Sequence, residues 1–248
     1  MIKGVKAMNI TKANGKNEYE LIENLKKRSG ETDEKIVEAV TTIINSVKEQ
    51  GDEAVREFTA RFDGIVPRKT VIEKDELNSY LDCVDEDFKN AIIKAKNNIY
   101  DFHLRQAQQS WMTTKENGVI MGQRIRGLHR VGIYVPGGTA AYPSSVLMNA
   151  IPAKIAGVKE IIMVTPPGKD GKVNPGTLVA ADIAGVDTIY KVGGAQAIAA
   201  MAFGTQSVPK VDKITGPGNI FVALAKKAGY GYVSIDSIAG PVSYTHLT

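Results

Sequence analysis

The stretch that decides the fold runs Arg130-Val131-Gly132-Ile133-Tyr134-Val135-Pro136-Gly137-Gly138-Thr139. It reads as a short buried strand that breaks into a Pro-Gly-Gly turn, with a helix resuming near Ser144. No Asp, Glu, Lys, Arg or His occurs between Val131 and Ala153, so the segment is expected inside the protein rather than in solvent. Tyr134 is the one polar handle on the strand. A strand passing through glycines into a helix is where α/β proteins bind ligands, because bare backbone and a helix N-terminus meet there. An ordinary tight turn carries the same signature, so the neighbouring segments must decide between the two.

Downstream of Arg130 the same grammar repeats. Strands are expected at Val131–Val135, Glu160–Thr165, Thr188–Val192, Lys213–Thr215 and Val233–Ile235. The first four are each followed by Gly or Pro and then a helix-forming run, at Ser144–Ala156, Gly176–Ala184, Ala195–Phe203 and Ile220–Gly229. This alternation predicts a mostly parallel sheet with helices on both faces and right-handed crossovers. Ligands bind such sheets at the carboxyl ends of the strands, which brings four loops together: Pro136-Gly137-Gly138, Thr165-Pro166-Pro167-Gly168, Gly193-Gly194-Ala195-Gln196 and Gly216-Pro217-Gly218-Asn219. Glycines there admit a ligand against the backbone, and the helix N-termini that follow favour an anion such as pyrophosphate. Gln196 and Asn219 are uncharged amides able to donate and accept, which suits ribose or adenine. Either amide taken alone is explained by helix capping, and Asn219 is well placed as an N-cap. Neither a Gly-x-Gly-x-x-Gly nor a Walker Gly-Lys-Ser/Thr is present, since Phe221 stands where the third glycine would follow Gly216-Pro217-Gly218.

Upstream the chain reads as helical. From Thr32 or Asp33 as N-cap, Ile36, Val40, Ile43, Ile44 and Val47 repeat with helical period up to Gly51. Asp52 is expected to cap a second helix that buries Ala54, Val55, Phe58 and Phe62. A third carries Leu77, Tyr80, Leu81 and Val84, and a longer fourth carries Phe88, Ile92, Ala95, Ile99 and Phe102. These stripes read as core. His103 reads as a partly exposed helical histidine, and Cys83 as a small buried hydrophobe within a helix. Between Trp111 and Arg126 the period shifts towards two, with Lys115-Glu116-Asn117-Gly118 as a hairpin tip. The expected boundary lies near Gly127 to Arg130, giving a helical segment over 1–129 and an α/β domain over 130–241.

At 248 residues, with 43% hydrophobic and 23% charged residues, the composition is that of a soluble globular protein. The net charge of +4 is mild and the cations are scattered, which argues against nucleic-acid binding. No apolar run reaches membrane-spanning length and the N-terminus lacks the apolar core of a signal peptide, so a cytoplasmic protein without a membrane partner is expected. The single cysteine, Cys83, excludes an internal disulfide, and His103, His129 and His246 form no cluster with zinc spacing.

Four segments together resemble the L-histidinol dehydrogenase family: Arg130–Gly138 (RVGIYVPGG), Val192–Phe203 (VGGAQAIAAMAF), Val208–Asn219 (VPKVDKITGPGN) and Gly51–Asp63 (GDEAVREFTARFD). The resemblance implies a cytoplasmic, zinc- and NAD-dependent homodimer that oxidises L-histidinol to the aldehyde and then to L-histidine, the last two steps of histidine biosynthesis. It implies an incomplete Rossmann-like parallel-sheet domain of the kind shared with aldehyde dehydrogenases, preceded by the helical segment. By position in their motifs, Tyr134, Gln196 and Asn219 match the family's NAD-binding residues. After Gly240-Pro241 the family continues Ser-Glu, whereas this chain reads Val242-Ser243-Tyr244-Thr245-His246-Leu247-Thr248. Residues 242–248 are therefore expected to be foreign sequence, and His246 matches no ligand motif. The family's zinc ligands and catalytic Glu-His pair lie further along its sequence, so this chain is expected to lack histidinol oxidation. The alternatives are an aldehyde-dehydrogenase-like or paralogous oxidoreductase on another alcohol, and a nucleotide-binding module without catalysis.

Overall fold

The computed structural model describes residues 11–30, 34–67, 69–137 and 141–237. Thr32, Asp33, Gly138, Thr139 and everything from Ile238 on, including the expected tail over 242–248, lie outside the described residues. The chain divides into two units, Met1–Ala39 and Val40–Thr248.

The first unit holds helix α1 (Asn17–Gly30), an element the periodicity did not announce. Its start is built from polar side chains: Asn14 Oδ1 accepts from the Asn17 N–H at 2.8 Å, and Glu18 accepts from the N–H groups of Asn14 and Gly15 at 2.9 and 2.6 Å. Glu18 thus reaches back to satisfy donors that a helix start leaves open. Helix α2 (Glu34–Gln50) runs on into the second unit, where Val40, Ile43, Ile44 and Val47 are its buried face.

The second unit is built on one sheet. Its strands β3 (Arg130–Tyr134), β4 (Glu160–Thr165), β5 (Thr188–Lys191), β6 (Lys213–Thr215) and β7 (Ser234–Ile235) are all parallel, in the order β5-β4-β3-β6-β7. The chain winds outward from β3 to β5 and then crosses to the other side of β3 for β6. A switch point therefore falls between β3 and β6, at the end of the opening stretch. Helices α6 (Pro143–Ile155), α7 (Pro175–Ala184), α8 (Gly194–Phe203) and α9 (Ile220–Gly229) connect the strands. Each begins and ends within a residue of the expected runs. The strands match the expected ones as closely.

Strand β3 is buried along its length from Val131 to Tyr134, as its lack of charge requires. Gly132 has a packing reason: a Cβ there would stand 2.4 Å from Met201 Sδ, so the bare backbone lets α8 lie close. At the entry to the sheet, Arg130 pairs with Glu160 at 2.7 Å, and its N–H donates to Asp212 at 2.9 Å. Three strands are thereby tied in register at their amino ends.

Helices α3 (Asp52–Asp63), α4 (Lys74–Leu81) and α5 (Glu86–Leu104) precede the sheet in sequence, yet Ile72 and Ile92 belong to the same hydrophobic core as Ile133, Leu147, Ile161 and Leu178. Residues 70–72 run antiparallel along β5, with Ile72 donating to the Ile189 carbonyl at 2.9 Å and Lys191 donating to the Thr70 carbonyl at 2.6 Å. The Lys191 ammonium, 7% exposed, pairs with Glu76 of α4 at 2.9 Å. The hairpin of β1 (Trp111–Thr114) and β2 (Ile120–Gln123) forms where expected, with every strand residue exposed.

Four expectations are corrected here. Gly51, not Asp52, is the N-cap of α3. The Asp52 carboxylate instead accepts from the Ser207 N–H at 3.2 Å and from its hydroxyl, because α3 docks against the loop after α8. Cys83 lies past the end of α4 and is exposed, its thiol donating to the Ser79 carbonyl at 3.2 Å. Phe62 and Phe102, each on the last turn of its helix, are 53% and 61% exposed rather than core, and the last turn of α3 overhangs a cleft.

The Asp52 tie carries a pH signature. Partial burial raises the carboxyl pKa, but hydrogen bonds from Ser207 and Thr205 outweigh it and hold the value below the ordinary one. A depressed pKa contributes stability above the ordinary carboxylate range and loses it as pH falls through the folded value. Asp52→Asn should therefore lower stability by about 1 kcal/mol at neutral pH. In acid the difference should close, as urea denaturation at the two conditions would show.

Candidate functional site

A cleft of about 430 Å³ opens at the carboxyl ends of the strands. All four glycine-rich segments expected to meet there contribute: Pro136 and Gly137 after β3, Pro166 after β4, Gly194 to Gln196 after β5, and Asn219 after β6. Tyr134 forms part of its wall. The three residues singled out from the sequence, Tyr134, Gln196 and Asn219, thus line one cavity at the switch point of the sheet, where open α/β sheets take ligands.

Tyr134 is 4% exposed and its hydroxyl accepts from the Gly194 N–H at 3.1 Å. One strand end is thereby joined to the first turn of α8. Burial pushes the phenol pKa up, the Gly194 N–H partly offsets this, and the nearby Asp63 carboxylate raises it further. The hydroxyl is consequently neutral at physiological pH and keeps its proton to donate.

Gln196 is 1% exposed, and neither its Oε1 nor its Nε2 has a hydrogen-bond partner. An amide buried without partners is costly, by about 1–3 kcal/mol for each unsatisfied group. Gly194 makes room for it: with φ at +66°, it turns the backbone away, and a Cβ there would stand 2.6 Å from Gln196 Oε1. An amide held in a glycine-lined slot beside a cleft is a site waiting for a polar ligand.

Asn219 is the N-cap of α9, its Oδ1 accepting from the Val222 N–H at 3.1 Å. Capping uses only the side-chain oxygen and leaves the NH₂ to donate. The loop before Asn219 is held by a buried cation. The Lys226 ammonium, 3% exposed, donates to the Gly216 carbonyl at 3.0 Å and pairs with Asp236, whose carboxylate accepts from the Gly216 N–H at 2.9 Å. Both backbone groups of Gly216 are thus fixed from the far side of β6. Nothing in the spacing of Lys226 and Asp236 marked them as partners, because they meet only once β7 is laid beside β6.

The sequence reading missed the other wall. Ile43, Phe62, Asp63 and Phe221 complete the lining. The first three belong to the helices upstream of the sheet, where helical period assigns apolar residues to a core and says nothing of a charged last residue.

A parallel sheet read at its carboxyl ends, with glycine loops and an unpartnered amide converging at its switch point, defines a Rossmann-like α/β protein. The match is closer than that. A family model described as histidinol dehydrogenase covers residues 26–245, and the chain belongs to the histidinol dehydrogenase family. The histidinol dehydrogenase of Clostridium acetobutylicum is 59% identical over 219 residues, which are 88% of this chain and 51% of that protein. That of Lactococcus lactis is 52% identical over 224 residues, 90% of this chain and 52% of that protein. The crystal structure of histidinol dehydrogenase from Elizabethkingia anophelis matches with a TM-score of 0.81 at 38% identity, covering 85% of this chain and 49% of that one. The chain spans about half the length of the curated relatives it matches.

Proposed function

We propose that this chain is the NAD-binding portion of a histidinol dehydrogenase, the enzyme that oxidises L-histidinol through L-histidinal to L-histidine. The observation that carries the reading is Gln196: a buried amide without partners, opening on a glycine-lined cleft at the sheet's switch point. NAD fits the residues present. When bound, NAD accepts the hydride from the alcohol and again from the aldehyde. Gln196 would hold polar ring or ribose atoms by donating and accepting at once, and Tyr134 and the Asn219 NH₂ would donate. The first turns of α8 and α9 favour a pyrophosphate, and Phe62, Ile43 and Phe221 offer apolar surface to a planar ring.

Zinc does not fit the described residues: no group of three or more His, Cys, Asp or Glu side chains among them could hold a metal ion. Among the described residues the cleft also presents no histidine to take the alcohol's proton. The chain by itself is therefore proposed to bind NAD without oxidising histidinol, and turnover above blank with both substrates would overturn that part. A homodimer in the cytoplasm belongs to the same reading. The cytoplasmic part of it fits a chain with a single cysteine.

Calorimetric titration with NAD tests the site. The wild-type chain is expected to bind, and Gln196→Leu to bind at least about tenfold more weakly. Because that substitution also removes an unpaired amide from the interior, its thermal stability should match or exceed wild type. Absence of NAD binding by the wild-type chain would sink the reading.

A further inference from the structure

We propose that Asp63 selects the dinucleotide: its carboxylate accepts hydrogen bonds from the vicinal hydroxyls of the adenosine ribose, admitting NAD and rejecting NADP. The inference rests on the reading of the cleft as an NAD site and adds a residue that the NAD-binding motifs leave out.

Asp63 is placed at some cost to the fold. It is the last residue of α3, where the carbonyl ends of the helix already concentrate negative charge. Its Oδ2 is shielded from solvent and has no hydrogen-bond partner. No ion pair to Asp63 forms among the described residues, and the neighbouring Arg61 lies over the Phe62 ring instead, 5.6 Å from its centroid. Burial raises the carboxyl pKa, so the ionised form weighs against folding at neutral pH and ceases to do so below the ordinary carboxylate range. A carboxylate so held is relieved by a donor, and the cleft it lines is open to a ligand.

The facing wall narrows the chemistry. Gln196 can donate or accept, and Tyr134 keeps a proton to give, whereas an ionised carboxylate only accepts. The ligand must therefore present donors at Asp63, and two oxygens on one carboxylate match the paired hydroxyls of a ribose. A 2′-phosphate at that point would set two anions together, and among the described residues no Lys or Arg lines the cleft to receive it.

The test is titration of wild type and Asp63→Asn with NAD, NADP and nicotinamide hypoxanthine dinucleotide, alongside thermal unfolding without nucleotide. Wild type should prefer NAD over NADP by about a hundredfold or more, and bind the hypoxanthine analogue as it binds NAD. Asp63→Asn should lose about tenfold or more in NAD affinity, narrow the gap to NADP, and melt no lower than wild type. Unchanged affinities and preference in Asp63→Asn, with wild type still binding NAD, would overturn the inference and leave the cofactor reading intact. Loss of binding with the hypoxanthine analogue would put the adenine amine, not the ribose, at Asp63, and a lowered melting temperature would make the carboxylate structural; either result overturns the inference. Failure of wild type to bind either dinucleotide would instead remove the reading on which it rests.

Discussion

Gly216→Ala is expected to be the most damaging single-methyl change in the sheet, lowering stability by about 3 kcal/mol or more. Two independent costs add. Gly216 has φ at +115°, a conformation that residues with a side chain rarely adopt, and a Cβ there would stand 2.1 Å from the Tyr134 carbonyl oxygen. That oxygen is backbone in the central strand, so relief requires β6 to move away from β3. For a chain of this size the loss corresponds to roughly 6–12 °C in melting temperature, readable by circular dichroism. Gly218→Ala makes a useful contrast. Its Cβ would first meet the Val222 side chain, at 2.3 Å, and its φ is not in the left-handed region, so a smaller loss is expected there. If Gly216→Ala melted with the wild type, the close approach of β6 to β3 at the switch point would be wrong.

Lys226→Met should cost about 2–3 kcal/mol, the effect of removing one partner from a buried ion pair. The methionine fills much of the same volume but leaves the Gly216 carbonyl without its donor and Asp236 without its cation. The Asp236 side chain is 33% exposed and regains some water, which keeps the loss below that of a fully enclosed pair. Lys226→Met combined with Asp236→Leu should recover part of the loss, because no lone charge then remains. The same loop carries Asn219, so Lys226→Met is also expected to weaken NAD binding several-fold without touching the cleft lining. Urea denaturation of the two singles and the double gives the coupling energy. A double variant whose loss equals the sum of the two single losses would show that the pair is not coupled.

The α/β half was legible in the sequence because each strand there is a short apolar run closed by Gly or Pro, and each helix is apolar enough to be buried on the sheet. Tyr134, Gln196 and Asn219 could be named for the same reason: they sit at fixed short distances from glycines that mark strand ends. Asp63 and Phe62 could not. They end a helix whose stripe reads as core, and only the docking of α3 against the α8 region brings that last turn over the cleft. Asp52 misled for a related reason, since an Asp after Gly at a helix start has a local use as a cap, and Ser207 lies 155 positions away. Cys83 looked buried because the stripe was extended past the true end of α4. Lys226 and Asp236 are the same kind of case: a lysine on a helix reads as solvated until the strand carrying its partner is in place.

The short run over residues 70–72 closes one side of the sheet. A free outer strand offers its unpaired amides and carbonyls to any extended chain, and such margins are where sheets join end to end into aggregates. Strand β5 does not offer them, because Thr70 and Ile72 already occupy its backbone. The opposite margin, β7, is two residues long. Recruitment of a foreign strand is thus blocked on one flank and given a foothold of only two positions on the other. The unit can expose a wide ligand cleft at its strand ends without also presenting a template for its own polymerisation.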